Sequence, residues 1–99
     1  MAKSKQQIIK NIEDHMAKRG GDIGDWYVGI AANPRERLFD DHSVDEKNGV
    51  WIYDTASSDS VARDIEKHFL DKGAQGGSGG GDEASTAVYA YKITLSTRE

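Results

Sequence analysis

The chain lacks cysteine altogether, and it has one proline and no long apolar run. Without cysteine there is no disulfide framework, no zinc site built on thiolates and no thiol nucleophile. The apolar runs are far shorter than the ~18 residues that a membrane span needs, and Met1 to Gly20 lacks the apolar core of a secretory signal. We therefore expect a soluble cytoplasmic protein that has no membrane partner.

An excess of basic residues is also missing, because 13 Lys and Arg stand against 17 Asp and Glu, a formal charge of −4. Proteins that grip the nucleic acid backbone neutralise phosphates with Lys and Arg, and such domains usually carry positive charge. Any binding of nucleic acid by this chain alone is therefore expected to be weak. It has to rest on a small local site or on a partner protein.

The 99 residues fit a single domain, 1–99, with a small core and three helices. Residues 5–18 carry apolar side chains at helical spacing before a pair of glycines. Residues 34–41 follow an asparagine N-cap and begin with the one proline of the chain. Residues 60–72 have the clearest amphipathic pattern, and Gly73 is placed to end that helix.

Three further segments, 25–32, 50–55 and 87–95, are rich in aromatic and β-branched residues, which is typical of strands. Apolar and polar side chains alternate in the last segment, so one of its faces is expected to be the core side. Helices and strands thus alternate along the chain. This order predicts an α/β fold of the α+β sandwich type, with a three-stranded sheet flanked by about three helices.

Residues 73–86 contain six glycines and few side chains that could pack. Glycine loses more backbone entropy on folding than other residues, so this composition predicts a flexible loop. The segment has no lysine or hydroxyl residue at the positions that a phosphate-binding P-loop requires.

Polar residues near the ends of the predicted elements form the candidate site. Each has an ordinary explanation when it is taken singly. A strand tyrosine usually packs, a boundary glutamate is usually solvated, and an arginine four residues before an aspartate forms a surface pair of roughly 0.3 to 0.5 kcal/mol. The candidates are Tyr27, Gly29, Arg37, His42 and Glu66.

Taken in order along the chain, these residues resemble the signature of the GIY-YIG nuclease family. The YVG tripeptide at 27–29 stands where the family has its second signature tripeptide, and Arg37 follows the tyrosine at the family's spacing. His42 lies one residue beyond the family's most frequent place for its histidine, and Glu66 matches the metal-binding glutamate on a helix. The resemblance covers residues 25–72, about half of the chain.

The resemblance implies metal-dependent hydrolysis of phosphodiester bonds in DNA or RNA. Tyr27 would take the proton of the attacking water. The planar fork of Arg37 donors matches phosphate oxygens and would stabilise the transition state. Glu66 would hold a hydrated Mg²⁺ or Mn²⁺, ions that keep most of their waters and also bind substrate phosphate.

His42 has two implied roles, which are to hydrogen-bond a phosphate or to relay a proton. The ordinary alternative is a surface histidine at a helix C-terminus, where the helix dipole favours its charge. Gly29 and Arg35 join Arg37 as the residues expected to bind nucleic acid. For the domain as a whole, the alternative is a catalytically inactive binding or regulatory module that keeps the same fold.

The first signature strand of the family, GIY, has no counterpart before YVG, where residues 20–25 are short and rich in glycine. The C-terminal strand is therefore expected to pair with the YVG strand and to supply a second tyrosine, Tyr89 or Tyr91. This hypothesis of a rearranged strand order requires residues 87–95 to pair with residues 25–32.

Overall fold

The computed structural model describes residues 4–20, 22–47, 49–76, 85–95, 97 and 98. Helices and strands alternate as predicted, and the α+β class is confirmed. No helix in these ranges is long and apolar enough to cross a membrane. The elements are α1 (Lys5–Arg19), β1 (Trp26–Ala31), α2 (Pro34–Glu36), β2 (Trp51–Thr55), α3 (Asp59–Lys72) and β3 (Ala87–Lys92).

Side-chain caps set the ends of the long helices within a residue or two of the predicted bounds. The hydroxyl of Ser4 accepts a hydrogen bond from Gln7 N at the start of α1, and that of Ser58 accepts from Val61 N at the start of α3. Gly73 ends α3 with φ of 117°, a left-handed value that glycine adopts without strain. The short helix α2 continues as a π-helical turn over Arg37–Asp41.

The sheet is antiparallel and has the order β1-β3-β2, so the C-terminal strand is central. Gly29 of β1 lies opposite Tyr89, and Tyr53 of β2 lies opposite the same residue on its other side. The predicted pairing of the last strand with the YVG strand is therefore confirmed. The strand ends at Lys92 and not at Leu95, since the chain turns between Thr94 and Thr97 and Leu95 is fully exposed.

β3 has both of its faces covered, whereas the alternation in its sequence predicts only that one face is the core side. Val88 and Ala90 lie in a core closed by α1 and α3, with Ile12, Ile65 and Phe69 among its helical members. Tyr89 and Tyr91 lie in a second core on the opposite face, with Leu38 and Val44. A central strand between two helical layers has no solvent face, which explains the difference.

The segment predicted as a flexible loop, 73–86, makes contacts with the rest of the fold near both ends, and residues 77–84 lie outside the described ranges. Gln75 pairs with β1, since Val28 N donates to its carbonyl at 2.9 Å and its own N–H donates to Trp26 O at 2.8 Å. Ala74 and Ser85 are buried. These backbone pairings give order to residues whose composition alone favours a loop.

Candidate functional site

Three tyrosines and one histidine form a buried cluster on the sheet face opposite α1 and α3. Tyr27 stacks on Tyr91 with ring centroids 5.2 Å apart, and its ring lies 4.6 Å from that of His42. Tyr89 lies 5.6 Å from His42 in the same group. We call Tyr27, His42, Tyr89 and Tyr91 the tyrosine–histidine cluster. The structure therefore brings the YVG tyrosine, the predicted histidine and both candidates for the second tyrosine together.

Hydrogen bonds determine which nitrogen of His42 carries the proton. Nδ1 lies 2.7 Å from the main-chain oxygen of Arg98, and a carbonyl oxygen can only accept, so Nδ1–H is the donor. In the neutral ring Nε2 is then an acceptor, and it lies 2.9 Å from the Tyr89 hydroxyl. Tyr89 therefore donates its proton towards His42. The hydroxyl of Tyr91 lies 3.1 Å from Nδ1.

The alternative of a surface histidine is wrong. His42 caps the C-terminal end of the π-helical turn, as that reading expected, but its side chain is only 5% exposed. Both of its ring nitrogens already have partners. Of the two roles implied for His42, this arrangement favours the relay of a proton over direct binding of phosphate.

Gly29 is needed for the placement of Tyr89. A Cβ atom added at Gly29 would lie 2.6 Å from both Cζ and the hydroxyl oxygen of Tyr89, far inside van der Waals contact. The tyrosine ring therefore lies directly across the glycine of its partner strand, and its hydroxyl lies over β1. This packing accounts for the glycine of the YVG tripeptide, and the role of Gly29 in nucleic acid binding stays a prediction.

Arg37 lies on the π-helical turn, near enough to Tyr89 to affect its pKa. Its Nη1 donates to the Asp41 carboxylate at 3.0 Å, and about half of its side chain, 48%, is exposed. Burial by itself lowers the pKa of Arg37, but the interactions with Tyr89 and Asp41 together raise it. The guanidinium is thus charged, oriented by a carboxylate and open to solvent on one side. It can bind an anion next to Tyr89.

Tyr89 holds its proton firmly. Burial raises the pKa of its hydroxyl to about 12, with a further contribution from Tyr27, while the positive charge of Arg37 opposes the shift. At neutral pH the side chain is therefore a hydrogen-bond donor. It can accept a proton from another group only if its own proton moves to His42 in the same step.

Glu66 lies on α3, in the other helical layer. Its side chain on α3 is half-buried, and its negative charge also raises the pKa of Tyr89. Burial raises the pKa of the Glu66 carboxyl, and Arg63 only partly offsets the effect. A carboxylate that is held partly out of water is stabilised by a nearby cation.

Glu66 would offer a metal ion a single carboxylate. In the described part of the chain no group of three or more His, Asp or Glu side chains is placed to hold a metal. A resident ion would have to rest on one carboxylate, with water and substrate oxygens completing its shell. Mg²⁺ and Mn²⁺ bind in this way, whereas structural zinc needs four protein ligands.

Arg35 makes its contacts with a different group of residues. It forms an ion pair with Glu46, and its guanidinium lies 5.1 Å from the Phe39 ring and 5.9 Å from the Trp51 ring. Tyr53 also interacts with it. The structure thus assigns Arg35 to a side cluster on β2, and its predicted contact with nucleic acid stays a prediction.

The sequence pattern missed the segment after β3. The main chain of Arg98 contacts His42 at both its N–H and its carbonyl, and neither contact uses the arginine side chain. A main-chain contact between residues this far apart leaves no mark on residue type. Gln75 was missed for the same reason, because it pairs with β1 through its backbone.

No protein-family model, curated protein or solved structure matches this chain. The candidate site therefore stands on its own geometry.

Proposed function

We propose that this domain is a small GIY-YIG-like endonuclease that hydrolyses phosphodiester bonds of DNA or RNA with Mg²⁺ or Mn²⁺. The observation that carries the proposal is the buried hydrogen bond between Tyr89 and His42, with the Arg37 guanidinium near enough to affect the pKa of the same tyrosine. A proton acceptor and a cation suited to phosphate thus lie next to one tyrosine. This is the minimal pair that phosphodiester hydrolysis requires.

The proton relay runs from water to Tyr89 to His42. As the water oxygen attacks phosphorus, its proton passes to the Tyr89 oxygen while the hydroxyl proton passes to His42 Nε2. This coupling avoids a free tyrosinate, which a pKa of about 12 makes costly at neutral pH. The P–O bond to the leaving strand breaks, and the departing oxygen takes a proton from solvent. Tyr27 packs against the relay through its ring contact with His42, and its role as the proton acceptor is the competing assignment.

Charge on the phosphate is the second requirement. Arg37 donates to the non-bridging oxygens in the transition state, with Asp41 holding the guanidinium in place. Glu66 would hold the divalent ion, which when bound supplies further relief of negative charge on the phosphate. The sequence-independent affinity for nucleic acid comes from a partner protein, because the formal charge of −4 opposes the binding of phosphates by this domain alone. We place the activity in the cytoplasm, which suits a chain without cysteine.

The test is cleavage of supercoiled plasmid and of short DNA and RNA strands with Mg²⁺, Mn²⁺ or EDTA. Arg37→Ala and Glu66→Gln are expected to lower the rate by about 10²-fold or more, the usual cost of losing one electrostatic contact to the transition state. Tyr89→Phe is expected to do the same, since it removes the relay. Asp64→Asn, which alters an exposed charge of α3, serves as the matched control and should cleave at the wild-type rate.

An inactive binding module is the second candidate, and the acidic balance of the chain favours it. Such a module would bind an oligonucleotide in EDTA and cleave nothing under any metal condition. Fluorescence anisotropy with the same strands separates the two functions. Binding without cleavage, together with no Mn²⁺-induced broadening of amide signals near Glu66, would exclude the nuclease.

A further inference from the structure

The main chain of Arg98 holds His42 at two points. Its N–H donates to the His42 main-chain oxygen at 2.7 Å, and its carbonyl accepts from His42 Nδ1 at 2.7 Å. The histidine is 5% exposed, so water has little access to either bond. We call this pair of bonds the Arg98 clamp.

A tight turn after β3 brings Arg98 to the histidine. The N–H of Ile93 still donates to Asp25 O at 2.8 Å, at the end of the pairing with β1. The Thr97 hydroxyl then accepts from Thr94 N and donates to Thr94 O, both at 3.0 Å, which closes the turn. The chain thus reverses next to the site and not at a distance from it.

We propose that the Arg98 clamp selects the tautomer of His42 and makes Arg98 a positioning residue of the site. The inference rests on the proposed function only in its effect on the rate. The carbonyl can only accept, so it keeps the proton on Nδ1 and leaves Nε2 free to accept from Tyr89.

Without the clamp, the environment of His42 no longer distinguishes its two nitrogens. The Tyr91 hydroxyl, 3.1 Å from Nδ1, can donate or accept, and so can the Tyr89 hydroxyl at Nε2. A fraction of the molecules then carries the proton on Nε2, where it blocks transfer from Tyr89. The relay stops in that fraction although every side chain is present.

The experiment compares two substitutions of the same residue in the full chain. Arg98→Pro removes the N–H that donates to His42, whereas Arg98→Ala keeps the main chain and is the matched control. Thr97→Ala removes the hydroxyl that closes the turn and is a second, milder route to the same loss. Long-range ¹H–¹⁵N spectra of the histidine rings report the tautomer, with His42 assigned from the variants His15→Gln and His68→Gln.

In the wild type and in Arg98→Ala we expect the proton of His42 on Nδ1. In Arg98→Pro and Thr97→Ala we expect a mixture with Nε2–H, and a fall in kcat of about 10- to 100-fold with KM unchanged, as for other partners that orient a catalytic histidine. Wild-type histidine spectra in both of these variants would overturn the inference. If the wild type cleaves nothing, the proposed function fails, and the spectra still decide what the Arg98 clamp does.

Discussion

At the scale of single residues, the site depends on what surrounds the Tyr89 hydroxyl. Gly29 leaves space for the ring, His42 accepts the proton, and Arg37 adds positive charge. These three neighbours come from a strand, a helical turn and the segment that follows it. A substitution that changes only a few atoms removes each of these contacts, so single variants can test them one at a time.

Gly29→Ala is expected to lower the free energy of unfolding by about 1 to 3 kcal/mol, the usual cost of an overpacked core. The new methyl group would lie 2.6 Å from the Tyr89 hydroxyl oxygen and must displace the ring, so cleavage should fall as well. Urea unfolding measures the stability. Gly24→Ala is the matched control, since its Cβ meets only Gly73 O at 3.8 Å, and it should change stability little.

Glu66→Gln is expected to abolish cleavage without destabilising the protein at neutral pH. Burial raises the pKa of Glu66 in the folded state, so the fold favours the protonated carboxyl. The stability from this preference is present below the unfolded pKa, near 4.5, and is lost as the pH rises through the folded value. At pH 7 the charged form is a cost that glutamine does not have.

The measurement is the difference in unfolding free energy between Glu66→Gln and the wild type at pH 4 and pH 7. The difference should shift in favour of the variant as the pH rises. Asp64→Asn, on the exposed face of the same helix, should show no such trend. A variant that loses stability between pH 4 and pH 7 would indicate that the carboxylate has a stabilising partner in the fold.

At the scale of elements, the π-helical turn after α2 explains the position of His42. The N–H of His42 donates to Arg37 O at 2.9 Å, which is one residue further along the chain than the bond of an α-helix. The turn thus contains one residue more than an α-helical turn. Turns of this kind are rare and are often found at functional sites.

Ser43 adopts a strained backbone conformation at the end of this turn. Its φ of 56° is left-handed, which costs a residue with a side chain about 1 kcal/mol or more. Ser43→Gly is therefore expected to raise the thermal unfolding temperature by a few degrees while cleavage is unchanged. Ser57→Gly, at an exposed site before α3, relieves no such strain, so the thermal unfolding temperature should stay the same or fall.

At the scale of the whole molecule, the packing of the layers forms the candidate site, whereas the net charge opposes the binding of phosphate to it. Two helical layers enclose the central strand, and the tyrosine–histidine cluster lies on the side opposite α1 and α3. The formal charge of −4 surrounds that site with a field that repels phosphates. The domain should therefore hold one phosphate locally and not a long stretch of backbone.

The salt dependence of binding tests this view. Each phosphate contact contributes roughly −0.9 to the slope of log Kobs against log salt for a duplex, so we expect a slope of about −1 to −2. Arg37→Ala should make the slope shallower by about 1, whereas Arg63→Ala should leave it unchanged. The measurement is fluorescence anisotropy with a labelled duplex in EDTA. A slope of about −5 or steeper would mean that the domain has an extended basic surface.

Local signals were enough to predict most of the elements. The Ser58 cap, the proline at the start of α2 and Gly73 each act within one turn of the chain, and the structure has helix ends at all three. The segment at 73–76 was predicted as a loop, because its glycines carry the local signal while its pairing with β1 is tertiary. The burial of both faces of β3 was not predicted for a similar reason. The alternation of apolar and polar side chains does not show that a second layer of the protein covers the other face.

The sequence by itself determined the order of the elements, the class of fold and the residue types available for chemistry, because these depend on periodicity, capping and composition. Only the tertiary structure decided that Tyr89 lies across Gly29 and that His42 is buried between tyrosines. It also decided that the main chain of Arg98 keeps the proton of His42 on Nδ1. Those contacts join residues far apart in the chain, partly through main-chain atoms that every residue type shares. No local pattern encodes them, so the site emerged from the packing of the layers.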